Sequence, residues 1–311
     1  MRSSTTPSQR DGFTLIELLV VISILAILAG LTLAGISRVR AGQYRATTES
    51  TVKKLQVALD QQLRTANEEA TKENNRALSS VTTFCDGDKD RAKSWLSFAN
   101  AKREFPQTFA EAKSAMVLTD PSTGAVVFSS QASATFARLP PGASGLTADQ
   151  ESAVLLYLIV TEKANKGTSS TGDAFASATM AIKSTTNVEY TVFKDGYGTH
   201  LAFIRWYGAN PLNPEVQAAP YVNAKIAIKD PFDPLGKLLP VPNAFGAAGW
   251  SNTSYRNQAL AVLTAPVGSP PIAFDGLNKM LTVISAGPDK VFGTGDDVFG
   301  YPLARLGAKG D

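Results

Sequence analysis

At 311 residues the chain is too long for one small domain, and its hydrophobic content of 44% is ordinary for a protein with a packed core. The formal net charge of +3 arises from dispersed basic residues, so no basic patch points to nucleic-acid binding. The chain contains one cysteine, Cys85, and one histidine, His200. An internal disulfide is therefore excluded, and the composition disfavours a Cys-His nucleophile or a histidine-rich zinc site.

The N-terminus joins a short polar segment to a long apolar one. Residues 1–12 are polar, whereas residues 13–36 contain a single ionisable side chain, Glu17. At about 1.5 Å per residue, a helix over 13–36 spans roughly 36 Å, enough for a bilayer core of about 30 Å. The run is also longer than the apolar part of an ordinary secretory signal, which has about 7 to 15 residues. The segment 13–36 is therefore predicted to be a transmembrane helix in which Glu17 needs a partner.

The stretch Gly12-Phe13-Thr14-Leu15-Ile16-Glu17 resembles the processing site of type IV prepilins and type II secretion pseudopilins. The resemblance implies that residues 1–12 are a leader peptide and that prepilin peptidase cleaves between Gly12 and Phe13. It also implies N-methylation of Phe13 and, during filament assembly, pairing of Glu17 with the charged terminus of a neighbouring subunit. Asp11 departs from the family, which usually has a basic residue before the glycine. The alternative is an uncleaved signal anchor with an accidental glutamate.

The helix is predicted to continue beyond the membrane. Residues 37–70 are predicted to be an amphipathic continuation, and the helix itself is predicted to end near Ala66. The prediction rests on an apolar stripe at helical spacing, formed by Val52, Leu55, Leu59 and Leu63. Residues 71–187 are predicted to be a helical insertion region, with helices over 92–98, 105–116 and 147–161. The acidic cluster 86–90 lacks the sixth-position glycine and the distal glutamate of an EF-hand, so we interpret it as a helix N-cap with a solvated acidic turn.

Residues 188–311 are predicted to form an antiparallel sheet. The period of two in 188–193 and 200–207 predicts a hairpin whose turn, 195–198, resembles the turn that opens the sheet of major pseudopilins. His200 is interpreted as a polar or edge residue of this hairpin. Residues 208–276, rich in Pro, Asn and Gly, are predicted to be a long surface excursion with little regular structure. Residues 281–285 are a strong strand candidate.

The loop after this strand combines three carboxylates with three glycines. Such a loop can curl around a hard cation, because glycines permit the turns while carboxylates and carbonyls supply the oxygens that calcium prefers. The loop also resembles the C-terminal calcium loop of major pseudopilins. The resemblance implies side-chain ligation of Ca²⁺ by Asp289 and Asp297, with Asp296 contributing its side chain or backbone. The alternative is a solvated acidic turn without metal.

These patterns together predict an α+β fold, in which a long N-terminal membrane-spanning helix packs on a small antiparallel sheet head with large helical and loop insertions. The resemblance implies a structural subunit, not an enzyme: a pseudopilin of a type II secretion-like pseudopilus for protein export. Its expected partners are prepilin peptidase, other pilin-like subunits, an inner-membrane assembly platform and membrane lipid. The expected location is the bacterial inner membrane, with the N-terminus cytoplasmic and the head extracytoplasmic.

Two other functions remain open at this stage. A type IV pilus subunit for adhesion, motility or DNA uptake shares the processing site, but it usually closes its C-terminus with a disulfide. A membrane-anchored extracytoplasmic hydrolase would need a catalytic motif, and the chain contains no G-x-S-x-G, H-E-x-x-H or P-loop sequence.

Overall fold

The computed structural model describes residues 15–140, 145–162, 175–205, 238, 250–264 and 281–300, without the side chains of 31–38, 67, 69–76 and 176. The chain divides into two compact units, Met1–Ala46 and Thr47–Asp311. Helices and short antiparallel strands alternate along the described residues, which confirms the α+β class.

In chain order the described elements are α1 (Leu15–Phe84), α2 (Lys89–Glu104), α3 (Phe109–Lys113), β1 (Met116–Thr119), β2 (Val126–Ser130), a 3-10 turn (Ala134–Phe136), α4 (Ala148–Glu162), a second 3-10 turn (Ala176–Ala178), β3 (Thr179–Lys183), β4 (Glu189–Phe193), β5 (Ala202–Ile204), α5 (Thr253–Thr264), β6 (Thr282–Ser285) and β7 (Val298–Phe299).

Helix α1 begins in the first unit, where its large apolar side chains from Leu15 to Leu28 are exposed in the isolated chain. Of the helices among the described residues, none is both long and apolar enough to cross a membrane. The predicted span 13–36 falls partly outside these residues, which do not include residues 13 and 14 or the side chains of 31–36. The helix ends at Phe84, well beyond the end predicted near Ala66.

The first hydrophobic core of the second unit lies between α1, α4 and two antiparallel sheets. Val52, Leu55 and Leu59 of the predicted stripe are fully buried in it, because their spacing places them on one helix face. Helix α4 contributes an apolar face that includes Leu155 and Ile159. The sheets are small: β3 pairs with β4, and β6 lies between β5 and β7.

A second core lies between the end of α1, helix α2, the β1–β2 hairpin and helix α5. Trp95 is fully buried in it, and its indole nitrogen donates a hydrogen bond to the carbonyl of Ala259 at 2.9 Å. Cys85 is a buried free thiol in the same core, and burial raises its pKa to about 12. It is therefore a packing residue in its neutral form.

The acidic turn before α2 caps the helix, as predicted. One carboxylate oxygen of Asp88 accepts hydrogen bonds from the amides of Asp90 at 3.0 Å and Arg91 at 3.1 Å, which satisfies two of the amides left unpaired at a helix start. The buried Arg91 donates to Asp86 at 3.2 Å and lies over the ring of Trp250 at 4.8 Å. The carboxylates of Asp86 and Asp88 are therefore hydrogen-bonded within the protein.

The predicted hairpin between 188–193 and 200–207 is wrong in its pairing. Strand β4 pairs with β3, and β5 pairs with β6. Among the described residues, β4 and β5 are joined at their connecting turn by the Lys194–His200 bridge and by backbone bonds from the Leu201 amide to the Phe193 carbonyl and from the Asp195 amide to the Thr199 carbonyl. The reason lies in β5, where the amide and carbonyl of Phe203 both bond the hydroxyl of Ser152 in α4. That edge of β5 is therefore closed to β4.

Three other patterns differ from the structure. The helix predicted over 105–116 is reduced to α3, because the Thr108 side chain caps its start and strand β1 begins at Met116. The region 71–187 contains strands β1, β2 and β3 besides its helices, consistent with their β-branched residues. The excursion 208–276 contains helix α5, whose Ala259 and Leu263 are buried in the second core.

Candidate functional site

The N-terminal processing motif lies at the border of the described residues. Gly12 and Phe13 fall outside them, whereas Glu17 lies in the first turn of α1 and is exposed in the isolated chain. Its neighbours Ile16 and Leu18 are exposed as well, at 70% and 58%. A carboxylate on an apolar helix surface is costly to bury unless it gains a charged partner. An assembly that covers this surface must therefore neutralise Glu17.

The acidic loop, residues 286–297, begins where the buried strand β6 ends. Ser285 is fully buried; its hydroxyl donates to Asp195 at 2.6 Å and accepts a hydrogen bond from the Gly287 amide at 3.2 Å. Gly287 has a φ of +65°, and a β-carbon at this position would collide with the backbone oxygen of Asp296. Glycine is therefore required there, both for the left-handed conformation and for the close approach.

Asp195 organises the turn between β4 and β5. It is 5% exposed, and one of its oxygens accepts hydrogen bonds from the amides of Tyr197 at 2.9 Å and Thr199 at 2.8 Å. The amide of Gly196 donates to the hydroxyl of Thr48 on α1 at 3.0 Å. The turn that resembles the pseudopilin turn is thus attached both to α1 and to the start of the acidic loop.

The three predicted ligands lie in the same loop, where backbone amides hold part of their oxygens. Asp289 accepts from the Val291 amide at 2.8 Å, and Asp297 accepts from the Gly293 amide at 2.8 Å through Oδ2. Asp296 accepts from the Asp289 amide at 3.2 Å. The loop is therefore folded around its own carboxylates.

Asp297 is the least satisfied of the three carboxylates. Its Oδ1 is buried and has no hydrogen-bond partner among the described residues. Burial, and to a lesser degree the negative charges of Asp296 and Asp289, raise the pKa of Asp297 to about 6. By contrast, a hydrogen bond from the Thr294 hydroxyl lowers the pKa of Asp296. Asp297 thus combines a buried oxygen that has no hydrogen-bond partner among the described residues with two negatively charged neighbours, Asp289 and Asp296.

The loop does not contain a preformed metal centre: over the described residues, no three His, Cys, Asp or Glu side chains converge closely enough to hold a metal. The residues nevertheless fit a hard cation in three respects. The ligands are carboxylates, the unsatisfied Oδ1 of Asp297 is an available donor, and the Gly287–Asp296 contact brings a backbone carbonyl into the loop. A cation would have to draw Asp289 and Asp296 inward.

Sequence reasoning missed Gln56, which connects α1 to the strand that leads into the loop. Gln56 is 4% exposed; its amide nitrogen donates to the Leu281 carbonyl at 2.9 Å, and its oxygen accepts from the Val283 amide at 2.9 Å. The side chain therefore hydrogen-bonds the backbone of residues 281 and 283, next to the part of β6 that pairs with β7. Its position four residues after Val52, on the buried face, was the available signal.

His200 contacts the same region and has a structural environment. Its Nε2 lies 2.9 Å from an oxygen of Asp149 in the first turn of α4, and its ring centroid lies 5.3 Å from that of Phe292 in the acidic loop. The residue therefore links α4 to the loop, in agreement with its interpretation as a polar or edge residue.

A cavity of about 190 Å³ lies between α2, α3, β1 and α5, with Lys102 and Glu111 in its wall. The Lys102 ammonium donates to the Val262 carbonyl at 2.7 Å, and burial lowers its pKa to about 8 against the opposing pull of Glu111. Glu111 is held by both terminal nitrogens of Arg205, at 2.7 and 3.0 Å. Burial alone would raise the pKa of Glu111, but the charge and hydrogen bonds of Arg205 outweigh it and hold the pKa below its usual value.

Comparison with known proteins bears on the N-terminus. Residues 7–33 match the family model described as the prokaryotic N-terminal methylation motif, and this segment includes Gly12, Phe13 and Glu17. Neither the curated proteins nor the solved structures contain a match to the chain. The chain therefore carries a prokaryotic N-terminal methylation motif, which supports a type IV pilin-like protein that is processed by prepilin peptidase.

Proposed function

We propose that the protein is a structural pilin-like subunit, specifically a pseudopilin of a type II secretion-like pseudopilus that serves protein export. The observation that carries the proposal is the methylation motif over residues 7–33. Prepilin peptidase removes residues 1–12 by cleavage between Gly12 and Phe13 and methylates the new terminus at Phe13.

The segment 13–36 anchors the subunit in the bacterial inner membrane and forms the filament core after assembly. The sequence supports this role because Glu17 is its single ionisable side chain. In the filament Glu17 pairs with the charged terminus of a neighbouring subunit, since a carboxylate in lipid is otherwise costly. The N-terminus is cytoplasmic, the head is extracytoplasmic, and an inner-membrane platform supports assembly.

The acidic loop is the second part of the proposal and favours a pseudopilus over a type IV pilus. Asp289 and Asp297 would hold Ca²⁺ with their side chains, and Asp296 would contribute its side chain or its carbonyl. Burial and, after it, the neighbouring negative charges raise the pKa of Asp297; the cation would neutralise these charges and bind the unsatisfied oxygen of Asp297. With Cys85 as the single cysteine, a disulfide cannot close this end of the chain.

Processing and assembly are tested separately by two variants expressed with a prepilin peptidase and the assembly platform. Gly12→Val is expected to keep the full chain length, because the bulky side chain blocks the peptidase. Glu17→Ala is expected to lose residues 1–12 and to gain the methyl group, yet to fail to assemble. Intact-mass spectrometry reads processing, and crosslinking between subunits reads assembly. Normal assembly of Glu17→Ala, or cleavage elsewhere, would contradict the proposal.

The choice between export and pilus functions is tested in the source organism. Deletion of the gene is expected to block export of folded proteins and to leave surface piliation and twitching unchanged. Loss of pili with normal export would favour the type IV pilus subunit instead. Enzymatic turnover that persists in the Glu17→Ala protein would instead support an anchored hydrolase.

A further inference from the structure

A series of buried and partly buried hydrogen bonds connects helix α1 to the acidic loop. The Gly196 amide donates to Thr48, which is fully buried on α1. The adjacent Asp195 accepts from the hydroxyl of Ser285, and the oxygen of that hydroxyl accepts from the Gly287 amide. This series of hydrogen bonds therefore ends at Gly287, near the start of the acidic loop.

Asp195 determines how this connection is oriented. A carboxylate that is 5% exposed is stable only when its oxygens are hydrogen-bonded, and the amides of Tyr197 and Thr199 serve one of them. The other oxygen accepts a hydrogen bond from the Ser285 hydroxyl, so the lone pairs of that hydroxyl oxygen are left to face the Gly287 amide. Buried networks of this kind are rigid because each unmade bond is expensive.

The orientation of Gly287 in turn determines where Asp296 lies. The two residues approach so closely that a β-carbon on Gly287 would overlap the Asp296 carbonyl. The carboxylate of Asp296 accepts a hydrogen bond from the Asp289 amide, and Asp297 follows Asp296 in the chain. A shift of Gly287 would therefore move all three proposed ligands relative to one another.

We propose that Asp195 and Ser285 are positioning residues for the cation: they hold Gly287 against Asp296 and thereby set where the proposed ligands lie before the cation draws them together. The same bonds couple cation binding to the attachment of the Asp195 turn to Thr48 of α1. This inference rests on the proposed calcium loop and adds to it the residues that place its ligands. Because coupling between sites is reciprocal, calcium must also strengthen the bond between Gly196 and Thr48.

The test compares calcium binding by the full chain, purified in detergent, with that of two matched serine variants. Ser285→Ala removes a buried hydroxyl that donates one bond and accepts another. Ser152→Ala also removes a buried hydroxyl, which donates to the Phe203 carbonyl at 2.7 Å and accepts a hydrogen bond from the Phe203 amide at 3.0 Å, outside the proposed connection. Both substitutions thus destabilise the fold by the same chemistry, and only Ser285→Ala breaks the connection.

We expect Ser285→Ala to weaken calcium binding in titration calorimetry by about 5- to 150-fold, the usual range for coupled sites. Ser152→Ala should change the affinity by less than about twofold, because a site without shared partners is energetically independent. Amide hydrogen exchange gives the reciprocal readout: calcium should slow exchange at Gly196 in the wild type and not in Ser285→Ala. If Ser285→Ala fails to fold, the isosteric Thr48→Val, at the other end of the connection, should weaken calcium binding.

Each outcome has a separate meaning. Calcium binding by the wild type that is unchanged in Ser285→Ala and Thr48→Val overturns the positioning role and leaves the calcium proposal intact. Equal weakening in Ser285→Ala and Ser152→Ala also overturns it, because the effect is then general destabilisation. A wild type that binds no calcium overturns the inference together with the calcium loop.

Discussion

Replacement of Gln56 tests how the β6 strand is attached to helix α1. Gln56→Ala removes the donor to the Leu281 carbonyl and the acceptor for the Val283 amide, both buried contacts. Each buried backbone group left without a partner costs about 1–3 kcal/mol, so two such groups give about 2–6 kcal/mol. Water that enters the vacated space offsets part of this cost, and we expect a loss of about 3 kcal/mol.

The assay is thermal unfolding of the full chain in detergent, followed by circular dichroism. In a chain of this size, about 3 kcal/mol corresponds to a fall in Tm of roughly 6–12 °C. Gln61→Ala is the matched control, because it makes the same chemical change on the same helix at an exposed position. Its expected effect is within about 0.5 kcal/mol. Equal Tm values for the two variants would refute the bridging role of Gln56.

Three further predictions concern the charged residues. Arg205→Met leaves Glu111 buried without its bidentate partner and should cost about 3–5 kcal/mol of unfolding free energy. The double variant Arg205→Met/Glu111→Leu should recover most of the loss. A double variant no more stable than the single one would contradict this. Burial lowers the pKa of Lys102 from 10.5 to about 8, so the unfolded state binds more protons than the folded state between these pH values. The unfolding free energy of the wild type should therefore rise with pH in this range relative to that of Lys102→Met. Parallel pH profiles of the two proteins would disprove this. Asp289→Ala should lower the unfolding free energy, and with it the Tm, only in the presence of calcium, with a loss of up to about 2.7 kcal/mol at 100 times the Kd. Equal melting of both proteins with and without chelator would exclude the calcium loop.

Local sequence patterns were sufficient where a residue's neighbours along the chain decide its structure. The spacing of Val52, Leu55 and Leu59 placed a buried face on α1, and Asp88 predicted a helix cap. The apolar run at 281–285 predicted β6, and Pro106 carried an unused signal for the break after α2. In each case the cause is steric or hydrogen-bonding chemistry within a few residues.

The acidic loop was visible in the same way as a cluster of residue types, because Asp289, Asp296 and Asp297 lie close together in the chain. What supports the loop was not visible. Ser285 and Asp195 are 90 residues apart in sequence, and their bond exists only because β6 returns beside the turn that follows β4.

Tertiary structure decided which strands pair and which polar side chains connect them. A period of two indicates that one face of a strand is buried but does not name its neighbour, so β4 was predicted to pair with β5. The structure pairs β5 with β6 because Ser152 occupies the other edge of β5. The sequence by itself determined the N-terminal motif and elements such as α4 and β6, since both are local. The arrangement around Asp195, Ser285 and Gln56 depended on contacts between distant segments, which no local pattern encodes.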